Sequence, residues 1–123
     1  MFCAFYDVPH DWRWPSCYGD LHRHHVIARS KFPKNKAAKR KVKYLVENKY
    51  RHIFVRWVCA GHNVSRYADT KRGRRYLLRQ RPRAEVEGAL EEIRECYKSE
   101  VPELRYEALC GDFLLDKVSG SIV

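Results

Sequence analysis

Charge is laid along this chain in blocks, and that segregation limits what the chain can fold into. Residues 20–82 hold nineteen Lys and Arg against three Asp and Glu, a net of +16, while residues 83–123 hold five against ten. A +16 stretch repels itself unless counterions or a polyanion neutralise it. Nucleic acid is the expected partner, with an anionic membrane surface second. A thermophile-style surface would interleave Glu with Lys, and the basic block nearly lacks Glu. Hydrophobic residues, 45% of 123, suffice for one modest core that a bound metal or a second subunit would help. No run of about eighteen apolar residues exists to span a membrane. The opening MFCAFYDVPHDW carries Asp7 and His10 where a signal peptide needs an apolar stretch, so a cytoplasmic location is expected.

The charge break near Pro82 is also a break in pattern. It divides a basic unit, residues 1–82, from acidic helices, residues 83–123, that pack on it or on a partner. In RAEVEGALEEIRECYKSE, Val86, Ala89, Leu90, Ile93 and Tyr97 fall at helical spacing, and the early Glu residues complement the helix dipole. A second helix is expected from Ser99, with Pro102 in its first turn, Leu104, Ala108 and Leu109 facing inward, Gly111 at its end and a loose VSGSIV tail. Earlier in the chain, residues 3–19 read as a packed loop and residues 21–27 as a strand. A helix lies within Lys34–Asn48, and residues 52–58, HIFVRWV, form the best strand, broken by Gly61. A helix from His62 to about Ala68 follows, with Thr70 to Arg75 leading out through Gly73. The class is α+β.

Chemistry concentrates in two places. His22, His24 and His25 lie in LHRHHVIARS, and Cys59, His62 and Asn63 lie in CAGHN. Imidazole, thiolate and amide oxygen all ligate metals. Neighbours in an ideal strand point to opposite faces, so His24 and His25 share a site only where the strand ends, twists or bulges.

LHRHHVIARS followed by WVCAGHNVSRYADTKRG resembles the HNH nuclease motif, the ββα-metal (His-Me) finger, over about residues 17–78. The resemblance implies a ββα-metal core with a basic helical insertion and C-terminal helices. It implies a metal-dependent endonuclease that hydrolyses DNA phosphodiester bonds. By position, His25 would be the general base, His24 a ligand of the catalytic Mg²⁺ or Mn²⁺, and Asn63, or His62 beside it, the second ligand. A free-standing enzyme of the phage or prophage type, acting in the cytoplasm of a bacterial host cell, is implied. Its DNA would be double-stranded or branched, and a homodimer would suit paired cuts.

The chain departs from the family in three ways. Phe54 stands where the central Asn is usual, about five residues before the cysteine, so Asn48 or His52 would take that role. The insertion between His25 and Cys59 is long and basic. Zinc-stabilised members carry two Cys-x-x-Cys knuckles, and neither is intact here.

Five cysteines, an odd number in a chain read as cytoplasmic, argue against a disulfide framework. Cys59-x-x-His62 has the spacing of half a zinc site, and Cys17 with Cys3, or Cys17 with His22, could complete it. The alternative is ordinary core cysteines, which is how Cys96 and Cys110 read. His22 could equally be a metal ligand, a phosphate contact or a solvated strand residue, and His10 reads as a loop residue. Trp12, Trp14 and Trp57 could stack on bases, although Trp57 reads as core with the other two covering it. Arg23, Arg29, Lys31, Lys39, Arg40, Arg66, Lys71, Arg72, Arg74 and Arg75, with Arg79 and Arg81, are candidate phosphate contacts or a solvated basic face. Two rival functions remain: a zinc-stabilised nucleic-acid-binding module without catalysis, and a subunit of a packaging or recombination complex.

Overall fold

The computed structural model of the chain describes residues 3–5, 17–64 and 67–110, apart from the side chain of Val64. His10, Trp12, Trp14, Arg66, Gly111 and the VSGSIV tail lie outside the described residues.

Strands β1 (Leu21–His25) and β2 (Val55–Cys59) pair antiparallel, in a register running from Leu21↔Cys59 to His25↔Val55. β2 is VRWVC, whose β-branched and aromatic side chains suit a pleated surface. The Val26 N–H donates to the Phe54 carbonyl at 2.8 Å and closes the hairpin just beyond His25. The expected strand over 21–27 therefore stops at His25, and Val26 and Ile27 turn into the core. The second strand also starts later than expected. Arg51–Phe54 wind into a helical turn, α2, which delivers the adjacent Ile53 and Phe54 to the core, both fully buried. Trp57 is half-buried opposite Arg23, a correction to its reading as core; the buried residues of β2 are Arg56, Val58 and Cys59. Arg56 reaches across to the Leu77 carbonyl at 2.8 Å, and burial together with nearby Arg81 lowers its pKa to about 10.

The basic insertion is helical. In α1 (Lys36–Tyr44), Asn35 caps the start by accepting from the Ala38 N–H at 3.1 Å, and Val42 alone is buried. The helix then widens into a π turn over Leu45–Lys49, with the Tyr50 N–H reaching back five residues to the Leu45 carbonyl at 2.8 Å. That turn buries Leu45 and Val46 side by side.

Helix α3 (Ala60–Val64) starts directly at the end of β2 and packs against both strands. A 3₁₀ turn covers Tyr67–Asp69, where the helix expected from His62 to Ala68 would end. Thr70 then caps α4 (Lys71–Arg79), accepting from the Gly73 N–H at 3.0 Å. Gly73, expected only to lead the chain out, lies inside α4 at a close approach, because a Cβ there would overlap the Tyr67 carbonyl oxygen. Helix α5 (Arg83–Arg94) begins after Pro82 and buries Val86, Ala89, Leu90 and Ile93 in the core shared with β2, α4 and the insertion. The second expected helix is a 3₁₀ turn, Pro102–Leu104, then α6 (Tyr106–Cys110). Leu104 and Leu109 face inward as expected, while Ala108 is exposed and Tyr106 and Cys110 are buried in its stead.

Candidate metal centre and histidine pair

Three segments meet at the Leu21↔Cys59 end of the hairpin. Cys59 ends β2, and His62 follows on the first turn of α3. Cys17 enters through a turn at Gly19, which has φ +80° and where a Cβ would lie 2.6 Å from that of Ala60. The Gly61 N–H donates to the Tyr18 carbonyl at 3.0 Å and the Ala60 N–H to that of Asp20 at 2.9 Å, locking the turn over α3. Cys3 arrives beside β2, where the Ala4 N–H donates to the Trp57 carbonyl at 2.8 Å.

The His62 Nδ1 atom lies 3.2 Å from Cys59 Sγ, 3.7 Å from Cys3 Sγ and 3.7 Å from Cys17 Sγ. All four donor atoms fall within 4.8 Å of one another. In a tetrahedral zinc site, with Zn–S near 2.3 Å and Zn–N near 2.05 Å, such separations are about 3.5–3.8 Å. The spacing and the Cys₃His donor set therefore suit a metal such as zinc. Backbone N–H groups of Phe5 and Cys59 point at Cys3 Sγ from 3.4 and 3.3 Å, as donors to a thiolate would. Burial raises the Cys3 pKa. Burial and the neighbouring Cys3 push Cys17 up to about 12. Burial opposes ionisation of Cys59 too, but hydrogen bonds from backbone and neighbouring thiols outweigh it and leave that group lowered. Three thiolates cannot coexist so closely without a cation. Cys17 is exposed, which the ordinary-core reading does not explain. Of the two proposed completions, Cys17 with Cys3 is the one brought together; His22 lies exposed on β1, opposite Val58. Cys96 and Cys110 stay outside the cluster.

At the other end of the hairpin the histidine pair separates. His24 is 7% exposed, its Nε2 makes no hydrogen bond, and Asp69 Oδ1 faces that atom from 3.8 Å. Burial lowers the His24 pKa, opposed chiefly by Asp69, so the ring is neutral near pH 7, the form that ligates metals. Half-buried His25 turns the other way and places Nε2 2.8 Å from Glu47 Oε1. The same oxygen accepts from Arg29, Nη2 at 2.5 Å and Nε at 3.1 Å. Burial would raise the Glu47 carboxyl, but these hydrogen bonds win and hold it below the usual range.

Asn63 is exposed on α3, and Asn48 is exposed in the π turn. His52, on α2, pairs with Glu85 of α5 and so ties the insertion to the acidic helices. Among the basic candidates, Arg23, Lys31, Lys39, Arg40 and Lys71 are exposed and Arg72 is half-buried. Arg74 donates from Nε to the Leu109 carbonyl at 2.9 Å, and buried Arg75 donates to that of Cys110 at 2.6 Å. Those two guanidinium groups brace α6 against α4, and Arg75 is enclosed where a phosphate contact would need it open. Lys31, Asp69 and Arg74 line one cavity of about 230 Å³ beside Val26.

Sequence reasoning passed over Glu47 and Asp69. The signal was present: with Asp20 they are the only acids in the basic block. Comparison with family models, curated proteins and solved structures returned no match for the chain.

Proposed function

We propose that this chain is a metal-dependent DNA endonuclease of HNH type, with β1, β2 and α3 as its ββα-metal unit. The observation that carries the reading is the His24 ring. It is buried and neutral, and its unbonded Nε2 faces a carboxylate at 3.8 Å, too far for a hydrogen bond and close enough for both to reach one cation. His24 and Asp69 would hold a divalent ion, with Asp69 in the role expected of Asn63. Bound there, such an ion supplies positive charge to the phosphate and to the leaving oxygen.

His25 is the last residue of β1, where the strand ends and the two rings can serve one phosphate from different sides; it would take a proton from water as the water oxygen forms its bond to phosphorus. The bond from phosphorus to one sugar oxygen breaks, and that oxygen takes a proton from solvent. Lys31 and the exposed cations of α1 hold the polyanion without reading its sequence. The Cys₃His cluster is a structural zinc site in this proposal. Four strand steps, about 14 Å at 3.4 Å each, part it from His25, and its four ligands leave no open position.

A zinc-stabilised binding module accounts for the cluster and the charge equally well, yet gives no reason for an unbonded buried imidazole opposite a carboxylate. Plasmid cleavage with and without Mg²⁺ or Mn²⁺, with His25→Ala in parallel, tests the proposal. Metal-dependent nicking or linearisation, lost in the variant, is expected. Tight DNA binding with no cleavage under either ion would favour the module.

A further inference from the structure

Resting on that nuclease reading, we infer that Glu47 is the positioning residue for His25: it fixes which ring nitrogen carries the proton and so which one faces water as the base. Glu47 Oε1 lies 2.8 Å from His25 Nε2. An ionised carboxylate only accepts hydrogen bonds, so the proton of the neutral ring sits on Nε2 and the lone pair on Nδ1. When Nδ1 takes up a proton from water, the imidazolium that forms is already paired with a negative charge.

The carboxylate is held where it must be to do this. Leu45 and Val46 are fully or nearly fully buried and anchor the π turn, and Glu47 follows them. Extra-wide turns of this sort recur at functional sites, because they re-aim one side chain without ending the helix. Arg29 binds the same Oε1 atom, so the acid is fixed from two sides and kept ionised. Glu47 is also the sole glutamate in residues 20–82, where every other long charged side chain is a cation.

Phe54, at the place of a central Asn, contributes its carbonyl to the hairpin closure at Val26, and its ring is fully buried. The side chain paired with His25 comes from the insertion. Asn48 and His52, the residues considered for the central Asn's task of orienting the loop between the strands, are not that partner: His52 pairs with Glu85, and Asn48 is exposed.

The test combines ¹⁵N NMR of the histidine rings with steady-state cleavage kinetics on the whole chain, for wild type, Glu47→Ala and Glu47→Gln. In wild type at mildly alkaline pH, His25 is expected as the Nε2–H tautomer, and in Glu47→Ala as a mixture of tautomers. With the latter, kcat should fall about 10- to 100-fold while KM for DNA stays within about twofold. Glu47→Gln keeps an acceptor and should restore the tautomer while recovering only part of kcat, since it brings no charge. A wild-type Nδ1–H tautomer, or an alanine variant with unchanged tautomer and kcat, would overturn the inference. A wild-type chain that cuts no DNA would overturn the nuclease reading, and the catalytic role with it. The tautomer comparison would still decide separately whether Glu47 holds the ring.

Discussion

The two ends of the β1–β2 hairpin use similar residues to opposite effect. At the Leu21↔Cys59 end, Cys3, Cys17, Cys59 and His62 converge until their donor atoms lie within 4.8 Å of one another. At the His25↔Val55 end, two adjacent histidines diverge, and each meets a single carboxylate, Asp69 or Glu47. A closed set of four soft and borderline donors saturates a tetrahedral ion and serves stability. A single histidine with a single carboxylate fills only two positions of an ion and leaves others for a substrate oxygen. One short hairpin thus parts the cluster proposed to hold a structural metal from the groups proposed to act on DNA.

Breaking the first end should have the largest effect. With a small core, metal binding of about 10 kcal/mol or more in such sites is comparable to the whole folding free energy. Cys59→Ser, or a strong chelator, should therefore unfold the hairpin, followed by circular dichroism alongside metal content by mass spectrometry. Thermal stability indifferent to both would mean that the cluster is core packing and that the contrast between the ends is false. At the second end, His25→Ala should lower cleavage about 10²- to 10⁴-fold, the usual contribution of a general base. The fold and DNA affinity should be nearly unchanged; lost affinity would make His25 a phosphate contact.

A finer distinction separates Asp69 from Asn63. Asp69→Asn should raise the Mg²⁺ concentration needed for half-maximal cleavage about tenfold, with Asn63→Ala nearly silent. The reverse order would return the second ligand to α3. The smallest effect concerns acid stability. Glu47 is held below its ordinary value of 4.5, so its contribution is complete above that pH and is lost as pH falls through the lower folded-state value. Glu47→Gln should flatten the loss of stability below pH 4.5 in acid titrations followed by fluorescence. An unchanged acid profile would mean that Glu47 is no better bonded folded than unfolded.

Much of the architecture was legible because its causes are local. Val86, Ala89, Leu90 and Ile93 recur at helical spacing, and all four are buried in α5. The β-branched character of VRWVC survived as β2, although the helical turn before it did not announce itself. Misreadings arose where a neighbour distant in sequence decided the conformation. Arg75 looked like a phosphate ligand, but its partner is the carbonyl of Cys110, thirty-five positions away. Trp57 had the composition of core, and the strand's alternation turned it to the half-covered face.

By itself the sequence determined the partition of charge, the amphipathic acidic helix and the half-site Cys59-x-x-His62, since each depends on residues within a few turns of one another. Only the tertiary structure decided that Cys3 and Cys17, and not His22, come to lie beside that half-site, and that two of the three acids of the basic block end up beside the two histidines. Those meetings depend on the hairpin's register and on a π turn twenty-odd residues away. A register shift of one residue would turn every β1 side chain to the other face, and neither His24 nor His25 would keep its carboxylate.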